Sequence, residues 1–374
     1  MAGADAPVEG QVRIQVVWDG ARVGAARVNS RRPQPQSLLR GRELVDASVI
    51  LPRLYSICGE AQGVAAMALE ALTRSGELDP AATQAWRERL RLETVREHLW
   101  RLGLDWAQAA GFEPWPEPVK SLLSAREDLL EDRDVAAGWA QQTREVLFGA
   151  ARPGRIDASV PESLQAWIKR ADTPLAGLLR TLAGRLEGVG RARFSPLPSG
   201  CTEWLLADAA RRLRSDPDYH WRPDVAGQVF EMGPVARCFG GARVDDARRV
   251  AGRTMDAWTR VVARVFELER LLDALENHSP ATGELTGCRD EDTAVVGVEM
   301  ARGMLMHWVR LEAGRIAEYR IVAPTEWNFH PQGACRGGLL GMEVGGEQEL
   351  EERVRLHVMA LDPCVRHELE VSRA

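Results

Sequence analysis

No two of the six cysteines in this 374-residue chain, Cys58, Cys201, Cys238, Cys288, Cys335 and Cys364, form a Cys-x-x-Cys pair. That spacing excludes a zinc ribbon and a thioredoxin-like redox motif, and it is not a disulfide framework, so a reducing cytoplasm is the expected setting. No stretch of about 18 consecutive apolar residues occurs, so no membrane-spanning helix is expected. Met1 to Gly10 has neither a basic n-region nor an apolar h-region, which argues against a signal peptide. Charge of one sign is never concentrated: 48 basic and 54 acidic residues leave a net charge of -6 without long runs, so no nucleic-acid partner is expected. Internal repeats and low-complexity segments are also missing.

What is present is an ordinary globular composition, 45% hydrophobic and 27% charged. Gln11 to Val17 alternates polar and apolar residues, and Asp19-Gly20 separates it from a second β-prone run, Arg22 to Val28, which predicts a hairpin. Ser30 to Arg40 reads as loop. From Leu44 the pattern turns helical, with an Ala-rich run Gly63 to Thr73 stopped by Gly76, and a further helix over Pro80 to Leu102. From Ala107 to Tyr219 several helices are expected, split by prolines 114, 116, 118, 153, 161, 174, 196 and 198. Ala247, Val250, Ala251, Trp258, Val261, Val265, Leu268 and Leu272 recur at helical spacing and predict a helix over Asp245 to Leu275. Leu305 to Leu311 and Ile316 to Val322 form a second hairpin across Glu312-Ala313-Gly314, Gly333 to Gly346 reads as loop, and Glu347 to Met359 as a last helix.

Two cysteines stand in segments suited to metal binding. One is Arg53-Leu54-Tyr55-Ser56-Ile57-Cys58-Gly59-Glu60-Ala61, the other Asp362-Pro363-Cys364-Val365-Arg366-His367. Two cysteines three residues apart clamp one metal, because both sulfurs reach the same point from a tight turn. Here each segment keeps the first cysteine of such a pair, with Ala61 and His367 at the second position. A lone cysteine is ordinarily a small buried apolar residue, so the surrounding segments decide its weight.

Those segments are Val8-Glu9-Gly10-Gln11, Phe230-Glu231-Met232-Gly233-Pro234-Val235-Ala236-Arg237, Glu299-Met300-Ala301-Arg302-Gly303, and Val322-Ala323-Pro324-Thr325-Glu326-Trp327-Asn328-Phe329-His330-Pro331. With the two cysteine segments, and in this order, they resemble the large subunit of nickel–iron hydrogenases. The family's signatures are Ile-Glu-Gly-His, Arg-Ile-Cys-Gly-x-Cys, Glu-Val-Gly-Pro-Leu-Ala-Arg, Glu-Ala-Pro-Arg-Gly, Val-Pro-Thr-Thr-Trp-Asn-Phe-Ser-Pro and Asp-Pro-Cys-x-x-Cys-x-x-His. The resemblance spans almost the whole chain, which is markedly shorter than a catalytic subunit. It implies a mainly helical α+β fold, with long central helices and small peripheral hairpins, as one domain over residues 1–374.

In that family the first cysteine of each pair binds nickel terminally and the second bridges nickel and iron. The bridging positions here are Ala61 and His367; the family's histidine after the first pair falls on Ala65, and its terminal histidine near Glu370, with only four residues beyond. Hydrogenase catalysis and nickel are therefore not expected. The pattern is similar to the HupK/HoxV group of hydrogenase-like accessory proteins. This resemblance implies a non-catalytic maturation scaffold that holds an Fe(CN)2(CO) unit on Cys58 and Cys364, with the hydrogenase large subunit and a small HypC-type chaperone as partners. An iron with three diatomic ligands leaves few positions, which two thiolates can fill. Cyanide nitrogens need donors, and the resemblance assigns that part to Arg302 and to Thr325 beside Pro324, with Asp362 next to Arg302. Glu9 matches the family's proton-moving glutamate. His367 is a candidate third ligand, a base for Cys364, or a spacer. His98, His307 and His330 are read as packing or surface residues, and Cys201, Cys238, Cys288 and Cys335 as structural. The alternatives are a divergent redox enzyme with His367 as replacement ligand, and a relative that has lost its metal altogether.

Overall fold

The structure is a computed structural model that describes residues 10–149, 161–193, 195–197, 202–239 and 254–374. Glu9, Cys201 and the first part of the helix expected over 245–275 lie outside the described residues.

The N-terminal hairpin forms as its alternation requires. Strand β1 (Gln11–Trp18) pairs antiparallel with β2 (Val23–Arg31), and Gly20 turns the chain at φ +103°. Val12, Ile14 and Val16 point inward onto Phe329, Leu350, Val354 and Val358. A third strand, β9 (Arg366–Arg373), lies parallel to β1 on its other side. The mostly exposed, charged Arg-His-Glu-Leu-Glu-Val-Ser-Arg run carries no strand alternation strong enough to announce it. Register then fixes a key neighbourhood: Gln11 sits opposite both Arg31 and Arg366, so the chain leaving β2 and the chain entering β9 emerge side by side.

After β2, the segment read as loop contains the short helix α1 (Gln36–Leu39). Helices α2 (Leu44–Leu54) and α3 (Gly59–Ser75) follow, joined through a 3-10 turn at Ser56–Cys58, and α3 stops at left-handed Gly76. Helix α4 (Pro80–Trp100) starts on the Asp79 side chain, which accepts from the Ala82 amide at 2.7 Å, with Pro80 in the first turn. It runs into a π-helical turn at Arg101–Trp106, where Trp115 fills the space that a side chain at Gly103 would need. Prolines punctuate the middle as expected: the helices Pro161–Arg170 and Pro174–Leu186 both begin on one.

The helix expected over Asp245 to Leu275 begins at Ala257 and runs to Glu276. Asp256 caps it by accepting from the Thr259 amide at 2.9 Å, and Thr254–Met255 (β4) is extended, paired with Ala192–Arg193 (β3). The second hairpin is half of a four-stranded antiparallel sheet in the order β5 (Leu285–Arg289), β6 (Thr293–Met300), β7 (Gly303–Glu312), β8 (Arg315–Val322). The central strand β6 is buried almost throughout, so Thr-Ala-Val-Val-Gly-Val-Glu-Met lacks the alternation that marks a half-exposed strand. The Gly333 to Gly346 loop holds a short helix, Ala334–Leu339, and the last helix is Glu347–Leu361. That helix ends on Asp362 in the left-handed region, φ +56°.

Two of the quoted motifs pack on each other through glycines. Gly303, at φ +128°, has no room for a side chain, since a β carbon would lie 2.5 Å from that of Met232; Gly233, at φ +99°, rides on the Arg302 backbone in return.

Candidate metal centre

Cys58 ends the 3-10 turn and precedes α3, and it is almost wholly buried (3% exposed). Cys364 lies between the last long helix and β9, half-buried. Both are free thiols. One guanidinium lies near both. Arg32, the residue after β2, donates from Nη2 to Cys364 Sγ at 2.6 Å, and Cys58 lies within electrostatic reach of it. Burial works against the Arg32 cation, but Cys364, Glu326 and Cys58 more than offset this and raise its pKa. Glu326 holds Arg32 from behind, Nε to Oε1 at 3.5 Å, with both side chains buried.

Each sulfur has a further donor. Thr325 Oγ1 is 3.1 Å from Cys364 Sγ, and Gln62 Nε2 donates to Cys58 Sγ at 3.7 Å. Gln62 is oriented by the residue behind it. His307 Nε2–H donates to Gln62 Oε1 at 2.9 Å, which leaves Nδ1 to accept from the Tyr319 hydroxyl at 2.8 Å. Burial holds the His307 pKa down at about 3, so the ring is neutral. The Cys58 thiol is pushed up to about 12, first by burial, then by the charges of Cys364 and Glu93. Glu93 caps the start of α3, accepting from the Glu60 and Ala61 amides at 2.9 and 3.1 Å; burial pushes its carboxyl up to about 7.

Beside the cysteines lies a buried charge cluster. Asp362 meets Arg101 Nε at 2.6 Å, Arg264 Nη2 at 2.9 Å and Arg302 Nε at 3.3 Å. Burial alone would raise its pKa, yet Arg302, Arg101 and Arg264 hold the carboxyl well below the usual range. Arg302 also pairs with Glu97 at 2.9 Å and donates to the Asp362 carbonyl at 3.2 Å. Its third nitrogen, Nη1, is buried with no protein partner, and both cysteine sulfurs lie within electrostatic reach of the guanidinium. A buried guanidinium donor left over in this way is the kind of group a cyanide nitrogen would satisfy. A cavity of about 10 Å³ borders Arg302, Arg264 and Asp362, the size of one water.

The sequence-derived residues thus separate into two groups. Cys58, Cys364, Arg302, Thr325 and Asp362 converge, and Pro324 opens the short buried helix Pro324–Asn328 that carries Thr325. His367 does not join them: it is exposed on β9, opposite Val12 in the sheet register. Ala61 and Ala65 are buried in the same apolar cluster as Cys58 and offer only methyl groups. Among the described residues, no group of three or more His, Cys, Asp or Glu side chains could hold a metal ion. Two sulfurs with surplus buried donors fit an iron that brings its own diatomic ligands, and do not fit a metal needing four protein ligands.

His98 and His307, read as packing or surface residues, are buried and hydrogen-bonded, His98 Nε2 to Glu267 at 2.8 Å. Sequence reasoning missed Arg32, Gln62, Glu97, Arg101 and Arg264. Gln62 stood directly after Ala61, but nothing in the sequence marked Arg32 within its Arg-Arg-Pro-Gln-Pro context.

The profile of the family described as nickel-dependent hydrogenase matches residues 241–366. The hydrogenase expression/formation protein HoxV of Cupriavidus necator is 34% identical over 372 residues, covering 93% of this chain and 93% of its own. The chain belongs to the HoxV/HupK family of hydrogenase expression/formation proteins. Within that family, HupK of Rhizobium leguminosarum bv. viciae is 29% identical over 394 residues, covering 98% of this chain and 97% of its own. The fold is that of a hydrogenase large subunit: the Ni-Fe-Se hydrogenase of D. vulgaris Hildenborough superposes with a TM-score of 0.55 at 18% identity, covering 93% of this chain and 95% of its own.

Proposed function

We propose that this HoxV/HupK-type chain is a non-catalytic scaffold of hydrogenase maturation. In this reading it holds an Fe(CN)2(CO) unit as cargo on Cys58 and Cys364, in the cytoplasm, and passes it to the hydrogenase large subunit, with a small HypC-type chaperone as the other partner. The names of its relatives, hydrogenase expression/formation proteins, support the maturation role. Among the described residues, no helix is long and apolar enough to cross a membrane.

The observation that carries the reading is that two cysteines from distant parts of the chain lie within electrostatic reach of each other and of one buried guanidinium, Arg32, which donates to Cys364. The cargo would supply strong-field ligands of its own, so two sulfurs suffice to hold it. Arg302 Nη1 and Thr325 Oγ1 are placed to donate to acceptors beside those sulfurs. Asp362 and Glu97 keep Arg302 charged and fixed. With Ala61 in place of a bridging thiol, nickel has no second sulfur to bind on that side.

Infrared spectroscopy and metal analysis of protein purified from a maturation-competent host test this. CN and CO stretching bands with iron near one per chain and no nickel are expected, and Cys58→Ala and Cys364→Ala should each abolish them. Absence of these bands from wild-type protein, or nickel near one per chain, refutes it.

A further inference from the structure

Arg32 is not among the residues the hydrogenase-like motifs bring with them; its position comes from the β1–β2–β9 sheet. Gln11 opposes both Arg31 and Arg366, which sets Arg32 beside the Cys364 segment. Gly10 makes the approach possible: a β carbon there would lie 2.8 Å from Val365 Cγ1 and 3.3 Å from Arg32 Cγ. The guanidinium is 4% exposed and is held between Cys364 on one side and Glu326 on the other. Glu326 is fixed in turn, with Ser30 Oγ at 3.5 Å, and Tyr55 anchors the following segment by donating to the Pro33 carbonyl at 3.0 Å. This is a built site, and its contents are a cation placed on the sulfur of a candidate iron ligand.

We propose that Arg32 is a resident counter-ion of the cargo site, which competes with the iron unit for Cys364 and makes the grip releasable. The proposal rests on the scaffold reading above. A guanidinium does not lose its proton in proteins, so its charge is present whether or not cargo is bound. Donation from Nη2 draws electron density from the sulfur and weakens what that sulfur gives to iron. On loading, the Cys58 and Cys364 sulfurs each contribute an electron pair to form an Fe–S bond, and the thiolate of the protein that delivers the iron leaves with its own pair. On release both bonds break heterolytically, each pair stays on its sulfur, and the iron is taken by cysteine thiolates of the acceptor protein. No electron is gained or lost by this chain: Arg32 compensates the Cys364 sulfur when the iron leaves, and the buried Cys58 thiol gives its proton to solvent on loading and takes one back on release. Without Arg32, release would strand an uncompensated charge next to buried Glu326. Arg32 is therefore a positioning residue that acts through Cys364.

The test uses full-length wild-type, Arg32→Gln and Arg32→Lys protein produced with the maturation machinery. Release is followed by decay of the protein-bound CN bands under excess dithiothreitol as thiolate acceptor. Arg32→Gln should release about tenfold more slowly, as for loss of one charge-assisted hydrogen bond, with CN stretching shifted to lower wavenumber. In cargo-free protein, alkylation of Cys364 by iodoacetamide should slow in Arg32→Gln and recover in Arg32→Lys, which a merely structural role would not produce. Should Arg32→Gln fail to fold, Arg32→Lys carries the test, with release several-fold slower than wild type expected because the bidentate fork is lost. Wild-type release and band positions in the folded variant overturn the proposal alone. Absence of CN bands from wild-type protein overturns it together with the scaffold reading.

Discussion

Replacing Asp362 by asparagine isolates the charge on which the cluster depends. The backbone at this position is left-handed, φ +56°, which asparagine tolerates better than most residues. The side chain keeps its size and one carbonyl oxygen, so the change is nearly pure in charge. The wild-type carboxylate is 4% exposed and faces Arg101, Arg264 and Arg302 at 2.6, 2.9 and 3.3 Å. Arg302 would keep Glu97, and Arg101 would keep Asp105. Arg264 would lose its ion-pair partner, and burial already pulls its pKa down with Asp362 in place. Removing one member of a buried charge network costs about 3–5 kcal/mol. Asp362→Asn should therefore lower the unfolding free energy by that amount, read from urea denaturation at neutral pH. Because the folded carboxyl titrates below its ordinary value, its contribution is present above the unfolded pKa of 3.8 and fades only as pH falls further. The gap between wild type and variant should accordingly stay constant from pH 8 to 5. A loss under about 1 kcal/mol, the worth of a single neutral hydrogen bond, would refute the reasoning and mean that water screens the cluster.

Three further outcomes follow from the site's supports. Gly10→Val should destabilise the protein by about 1–3 kcal/mol, as overpacking does, and reduce iron retention, since the new side chain displaces Val365 and Arg32; unchanged melting and iron content would contradict the close approach. Gln62→Leu should cost about 1–3 kcal/mol by orphaning the His307 Nε2–H, and should speed loss of iron, read as decay of the CN bands. His307 titrates at about 3 in the folded chain and near 6.5 unfolded; the unfolded state therefore binds more protons as pH falls below 6.5, and stability drops by about 2 kcal/mol at pH 5. His307→Gln should remove that part of the acid sensitivity, and equal pH 7-to-5 shifts in urea midpoint for the two proteins would argue against a neutral buried ring.

Much of this arrangement is legible in the sequence because motif residues carry their own backbone signature. Gly233, Gly303 and Pro324 are required by close approaches and a helix start, so their segments can be recognised before any fold is known. The hairpin at Asp19-Gly20 and the stop at Gly76 are local events and are read correctly for the same reason. What escapes is set by pairing between distant segments. Strand β9 is exposed and charged, and only its parallel register with β1 makes it a strand. Strand β6 is buried almost throughout and so shows no alternation. Of the helix expected from residue 245, the described part runs from Ala257, where Asp256 caps it and Thr254–Met255 is extended against β3, an interruption that apolar periodicity alone does not show. Arg32 inherits its place from the β1–β2–β9 register, and Gln62 its orientation from His307 on a strand far along the chain. His367 shows the converse: its spacing from Cys364 suggests ligation, but the strand it enters leaves it in solvent.

The parallel pairing of β1 with β9 also orders events during synthesis. At about 5–20 residues per second, Cys364 follows Cys58 out of the translation machinery after roughly 15–60 s. For most of that interval Cys58 is a nascent thiol without Arg302, Thr325 or the His307 that aims Gln62, all of which are made before Cys364. Arg32 is made early, but it has no sulfur of Cys364 to rest on until β9 joins the sheet. Assembly of the dithiol site therefore waits for the end of synthesis, and until then a ribosome-bound chain holds only one of its two sulfurs, Cys58.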